Sequence, residues 1–432
     1  MLEKGREDDN SELLAHMMTL ARKKLLCNND IDGPSSNETA ILALVDVLIT
    51  IDYEPRRESA QEREMDMVTS HMRTAFSVPD HHLYIRSGYP SEPFLAEAAS
   101  RQVHHYIQHR GFSMAEVLET NLDHGLIDLG QRGEVVMRLL LRNAYMEAIV
   151  AEQSSPNPNF SKGCSLLCFL EALFAKQNHA SVMQCGPDKK FMPPSALKDV
   201  FKDAVVRFTH FVKASDSSVM MTEGMFKGFL RGSAILGQNN QEAIDMAIPI
   251  LLDKDKKIDE PSMSAFLIQV KRRHQAGSVN AYVIDGKKQH VFRGKDTRPY
   301  VTLVAELGVK APSPPDLCVV TSKPVIRESD CIAHCSNPKQ PRYTIRAYGC
   351  TDQVWNITHR DQDSYTHILS ADELLADHPR QDPASLQLVR QMLPFWSRDA
   401  AWVSADEHEA IELDSESDLE ELSAQEESMA VD

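Results

Sequence analysis

Residues 243–271 read AIDMAIPILLDKDKKIDEPSMSAFLIQVK, and this stretch decides the predicted fold. Its first ten residues and its last eight are apolar runs with the length of a buried strand. The charged segment between them ends at Pro261, and this composition indicates a loop outside the sheet. The stretch therefore predicts two adjacent strands that are joined as a hairpin.

The second strand carries polar residues at its end. Because side chains alternate between the faces of a strand, Leu267, Gln269 and Lys271 share one face. Asp245 lies in the preceding strand, on the face opposite Ile244. An aspartate and an amide oxygen can bind a hard cation such as Mg²⁺, and a lysine can hold an attacking water or a phosphate. The alternative is that the strand end is simply exposed to solvent.

Glu134 is a further candidate because it begins a predicted helix, GEVVMRLLLRNAY, directly after Gly133. The apolar residues that follow it would pack this helix on a sheet, with Glu134 in the first turn. Two structural roles compete with a role in a site. An acid at this position favours the helix dipole, and Glu134 can pair with Arg138 one turn later.

The other segments predict helices that are followed by strands. Helices are expected at 11–26, 131–152, 164–176, 195–214 and roughly 222–231. Further strands are expected at 280–285, 298–307, 316–326 and 342–350. The predicted class is α+β (mixed α/β), with a helical region at 1–110, a mixed sheet flanked by helices at 111–400, and a disordered acidic tail at 401–432.

The net charge of −17 does not exclude a nucleic-acid partner, because the charge is concentrated in the tail. Residues 404–432 hold 12 of the 63 acidic residues and no lysine or arginine, which leaves 51 acidic against 46 basic residues elsewhere. The N-terminus lacks the apolar core of a signal peptide, and the longest apolar run, 40–51, is too short to cross a bilayer. We therefore expect a soluble intracellular protein, in the nucleus or the cytoplasm, with reduced cysteines.

An early-helix glutamate, an aspartate on one strand and Gln-x-Lys on the next resemble the PD-(D/E)XK restriction-endonuclease-like superfamily. Over roughly residues 80–360 the chain is similar to a nuclease-like domain that is widespread in multi-copy proteins of mushroom-forming fungi and resembles Crinkler-type effector and toxin families. In those families an NTPase region precedes the domain. Residues 1–110 would then be a remnant of it, because they contain no phosphate-binding glycine-rich loop.

The resemblance implies a Mg²⁺-dependent nuclease that acts on DNA rather than RNA. Asp245, Gln269 and Glu134 would bind the metal, and Lys271 would assist the nucleophile. Three features depart from the superfamily pattern: Ile244 stands before Asp245 in place of proline, Gln269 replaces an acid, and a long helical insertion separates Glu134 from Asp245. The alternative is an inactive protein that keeps the nuclease-like fold as a scaffold for binding protein or nucleic acid.

Overall fold

The hairpin predicted at 243–271 forms two neighbouring strands of a mixed β-sheet. The computed structural model describes residues 2–33, 37–53, 58–78, 85–123, 132–188, 195–238, 243–272, 283–294, 296–309, 318–322 and 340–369. The chain up to Leu369 forms one compact unit. The predicted acidic tail at 401–432 lies outside the described residues.

The helices of the described residues are α1 (Leu2–Leu26), α2 (Glu38–Ile49), α3 (Glu58–Ser70), α4 (Pro93–Arg110), α5 (Met114–Asp123), α6 (Arg132–Gln153), α7 (Leu166–Leu173), α8 (His179–Met183), α9 (Leu197–Val200), α10 (Thr222–Arg231) and α11 (His359–Leu369). Several of their N-termini have side-chain caps that the sequence supplies, among them those of α2, α4 and α7. Asn37 caps α2, and Glu92 caps α4, in which Pro93 is the first residue.

The strands are β1 (Thr74–Ser77), β2 (Arg86–Gly88), β3 (Cys164–Ser165), β4 (Val205–Val206), β5 (His210–Lys213), β6 (Ser233–Leu236), β7 (Met246–Leu251), β8 (Met263–Lys271), β9 (Tyr300–Glu306), β10 (Val319–Thr321) and β11 (Arg342–Tyr348). β1 and β2 form a separate pair. The main sheet runs in the order β10-β11-β9-β8-β7, and the far edge of β7 pairs with β4 and β6. β3 pairs with β4 in antiparallel orientation, and β5 pairs with β6 in parallel orientation. The predicted α+β class with a mixed sheet is confirmed.

The hairpin strands are mostly apolar until the polar end of β8, because both faces of the sheet are covered. β7 and β8 are antiparallel, whereas β8, β9 and β11 run parallel. One face, with Phe266 and Ile268, packs into the larger core, to which α6 also contributes. The other face, with Leu267, packs against a smaller core that includes Phe229 of α10. Such double burial produces continuous apolar runs in place of polar alternation.

One predicted helix is wrong. Residues 195–214 contain only the short helix α9, followed by β4 and β5. The segment VVRFTHFVK at 205–213 is rich in β-branched and aromatic residues, and in the sheet its ends pair with β7 and β6. The strand predicted at 280–285 is not formed by residues 283–285, which are the part of it that the structure describes.

None of the helices in the described residues combines the length and the apolar content that crossing a membrane would require. The apolar run at 40–51 forms α2, which is buried inside the protein.

His210 at the start of β5 is a buried residue that should make stability depend on pH. Its Nε2 lies 2.8 Å from Ser91 Oγ and its Nδ1 lies 3.0 Å from Thr209 Oγ1. Burial, followed by the charges of Arg231 and Arg142, lowers the pKa of His210 to about 4. Between about pH 6.5 and pH 4, the unfolded chain therefore binds a proton at His210 that the folded protein does not bind. The free energy of unfolding decreases as the pH falls through this range.

We expect this difference to remove about 2 kcal/mol of unfolding free energy between pH 7 and pH 5. Urea denaturation of the wild type and of His210→Gln at both pH values measures it. The variant should lack this part of the pH dependence, whereas His16→Gln, at an exposed position, should retain it. Parallel pH profiles for the wild type and His210→Gln would contradict the expectation.

Candidate active site at one edge of the sheet

Several strands of the main sheet end or begin at the same end of the sheet. This row of strand ends, the sheet edge, carries charged residues. β5 ends at Lys213, which pairs with Leu236 at the end of β6, and Leu236 in turn pairs with Met246 at the start of β7. The parallel strands β8 and β9 end here with Lys271 beside Glu306. Both hairpin ends that the sequence singled out therefore lie at this edge.

Asp245 immediately precedes β7 and extends its pairing with β8. Its backbone N–H donates to Ile268 O at 2.9 Å, and the antiparallel register brings Asp245 opposite Gln269. The half-buried carboxylate accepts the Val270 N–H through Oδ2 at 2.5 Å. Burial raises the pKa of Asp245, and the Val270 hydrogen bond and the Lys271 charge lower it in part. One carboxylate oxygen thus supports the strand, and Lys271 lies within electrostatic reach.

Gln269 is the most unusual member of the set. Its side chain is buried, with 5% of the residue exposed, and Oε1 accepts no hydrogen bond from any described residue. Leaving such an acceptor unsatisfied costs about 1–3 kcal/mol. A water or a cation at this oxygen would remove the penalty, so the donor chemistry fits a bound hard cation.

Glu134 lies in the first turn of α6, close to the end of β8. A Cβ atom placed on Gly133 would be 3.6 Å from both Val270 Cγ1 and Arg272 Cβ, so the start of the helix packs directly on this strand. Burial raises the pKa of Glu134, Arg138 lowers it, and Asp245 raises it again. The influence of Asp245 places the two carboxylates within electrostatic reach of each other.

Arg138 does not serve mainly as the ion-pair partner that the helical spacing suggested. Its guanidinium is buried and donates to the carbonyl oxygens of Ile49, at 3.0 Å, and Thr50. It therefore anchors the end of α2 to α6 while it moderates the charge of Glu134.

The structure brings Glu134, Asp245, Gln269 and Lys271 to one edge, but α6, which carries Glu134, packs against Val270 on the face of β8 opposite Gln269 and Lys271. Their roles stay predictions. Among the described residues, no group of three or more histidine, cysteine, aspartate or glutamate side chains is arranged to hold a metal ion. A cation here would therefore depend on the Gln269 amide oxygen in addition to carboxylates.

Two further residues belong to this edge and were missed by the sequence reasoning. Lys213 forms an ion pair with Asp52 and also lowers the pKa of Glu134. Glu306 ends β9 and is fully buried. An acid at the end of the apolar run 298–307 was a usable signal for Glu306, whereas Lys213 was hidden by the mistaken helix at 195–214.

Comparison with known proteins gives one match. The model of a family described as a domain of unknown function (DUF8736) matches residues 32–288, a range that includes all four predicted site residues and ends before β9. Neither a curated protein nor a solved structure matches the chain.

Proposed function

The chain belongs to the DUF8736 family, a domain of unknown function, and we propose that it is a Mg²⁺-dependent hydrolase of phosphodiester bonds, of PD-(D/E)XK type. The observation that carries the proposal is the buried Gln269 amide oxygen, which no described residue satisfies and which lies opposite Asp245 at the edge where Lys271 also lies. Asp245 and Gln269 would hold the metal, with Glu134 nearby. A bound Mg²⁺ would stabilise negative charge on the phosphate.

Lys271 has the properties that the proposed reaction requires. It ends β8, it is half-buried, and its charge acts on both Asp245 and Glu134. An ammonium group there would orient the attacking water and balance the charge that develops on the phosphate. Arg272, which follows Lys271, adds a second positive charge at this edge, whereas the charge of Lys213 there is already paired with Asp52. The substrate we propose is nucleic acid, DNA before RNA, inside the cell in the nucleus or the cytoplasm.

Cleavage of plasmid DNA and of a single-stranded RNA, with Mg²⁺ or with EDTA, tests the proposal. We expect Mg²⁺-dependent DNA cleavage that falls by about 10²-fold or more in Asp245→Ala and in Lys271→Ala, because each removes a group required in the transition state. Matched controls are Asp255→Ala and Lys254→Ala, two exposed positions in the hairpin loop. Wild-type rates in both site variants would overturn the assignment.

A second function, a catalytically inactive scaffold, is favoured by one specific observation. Asp245 Oδ2 already accepts the Val270 N–H, which is a structural use of the residue expected to bind metal. In this case Mg²⁺ would leave the melting temperature of the wild type unchanged, and the edge would bind its partner without cleaving it. Retention of DNA without cleavage, in the presence of Mg²⁺, would identify this alternative.

A further inference from the structure

A cavity separate from the sheet edge lies between α4, α6 and the start of α11. Its volume is ≈ 570 Å³, within the range of small-molecule sites. Glu147, on its wall, is thirteen residues after Glu134 on the same helix, which corresponds to about 20 Å along the helix axis. Much of the lining is apolar: Ile107, Phe112, Met114, Met146 and Val150.

Two carboxylates line this cavity, and one of them is fully engaged. Asp361 lies in the first turn of α11, where Ser113 Oγ donates to its Oδ1 at 2.5 Å and Thr358 Oγ1 donates to its Oδ2 at 2.8 Å. Glu147 Oε2 accepts one hydrogen bond, from Asn356 Nδ2 at 2.7 Å, and Oε1 accepts none from the described residues. Glu147 therefore keeps one oxygen free to bind a ligand.

The cationic and titratable groups around Glu147 do not neutralise it. Arg360 is held by both carboxylate oxygens of Glu116 and by Gly111 O at 2.8 Å. Burial lowers the pKa of His104, so this imidazole is uncharged at neutral pH. Glu147 is an exposed residue, but partial burial of its carboxylate and the repulsion from Asp361 raise its pKa to about 7. The cavity thus has an apolar wall, and the charge of Arg360, which also lines it, is paired with Glu116 and not with Glu147.

We propose that this cavity binds a small organic ammonium ion with an apolar body, whose ammonium group donates a hydrogen bond to Glu147 Oε1. The aliphatic and aromatic walls would take the apolar body, and the ammonium group would pair with the carboxylate of the exposed residue Glu147. Neither an anion nor a neutral molecule of the same shape would neutralise the charge of Glu147. The proposal is independent of the nuclease assignment, because its residues lie outside the sheet edge.

The test uses three matched probes on the full chain: 4-phenylbutylamine, 4-phenylbutan-1-ol and 4-phenylbutanoate, by calorimetric titration at pH 8, where Glu147 is ionised. The amine should bind at least about tenfold more tightly than the alcohol, since only the amine forms a charge-assisted hydrogen bond. The carboxylate should bind most weakly. Glu147→Gln should reduce amine affinity by about tenfold and leave alcohol affinity unchanged, because only the charge is removed.

Two further variants make the outcome decisive. Glu171→Gln changes an exposed acid outside the cavity and should bind all three probes as the wild type does. Ala151→Trp, at an exposed position of the cavity wall, should weaken amine and alcohol together and so locate the binding. Equal affinities for amine and alcohol, unchanged amine affinity in Glu147→Gln, or no amine binding would overturn the proposal.

Discussion

Replacing Arg73 with methionine should lower the free energy of unfolding by about 3–5 kcal/mol, because it leaves the buried carboxylate of Asp46 without its ion-pair partner. The Arg73 guanidinium pairs with Asp46 in α2, and their side chains are 0% and 1% exposed. It also donates to Ser87 Oγ at 2.7 Å and to Ser87 O at 2.8 Å, and it lies 4.1 Å from the centre of the Tyr53 ring. Methionine fills similar volume but supplies none of these donors.

The change affects Asp46 most, because its buried carboxylate loses the positive charge that balances it. Burial already raises its pKa even with Arg73 beside it, and the Ile51 N–H also donates to its carboxylate at 2.7 Å. Urea denaturation at pH 7 of Arg73→Met, Asp46→Asn and the double variant measures the coupling between the two residues. The double variant should lose much less stability than the two single losses combined. Lys227→Met, which breaks an exposed pair with Glu223, serves as the control and should leave stability unchanged. Additive losses would show that the pair is not coupled.

This pair illustrates what the sequence could predict of the N-terminal region. Asp46 interrupts the apolar run at 40–51, and the sequence of this run does not indicate which residue pairs with it. Its partner follows 27 residues later in the chain and is brought to it by β1 and β2. Periodicity describes each element separately, whereas a buried ion pair depends on the packing of several elements.

The sheet edge was more accessible to sequence reasoning because its main residues lie in one hairpin. A hairpin fixes the register between its strands, so Asp245 and Gln269 are opposed through local geometry alone. Glu306 reaches the same edge through a parallel pairing after a long connection, and Lys213 through the pairing of β5 with β6. Such crossovers are set by the tertiary fold, which short-range patterns do not contain.

Gln269→Glu is the substitution that separates a metal site from a structural strand end. It introduces a carboxyl at a position that is 5% exposed and opposite Asp245. Burial and a neighbouring carboxylate would raise the pKa of the new group by about three units, which lowers stability at pH 7.5 by about 4 kcal/mol without metal. This loss of stability is absent at low pH, where the introduced carboxyl group is protonated in both the folded and the unfolded chain. It grows as the pH rises above about 4.3.

Mg²⁺ should reverse this loss if the edge is a cation site. A metal that binds only the folded chain restores about 2.7 kcal/mol at a hundredfold excess over its dissociation constant, so the melting temperature of the variant should rise with Mg²⁺. Gln269→Met, which keeps the volume and removes the unsatisfied oxygen, should be close to wild type in stability and insensitive to Mg²⁺. A destabilised Gln269→Glu that Mg²⁺ fails to rescue would refute the metal site while leaving the fold intact. This readout needs no substrate, so it separates loss of metal binding from loss of cleavage.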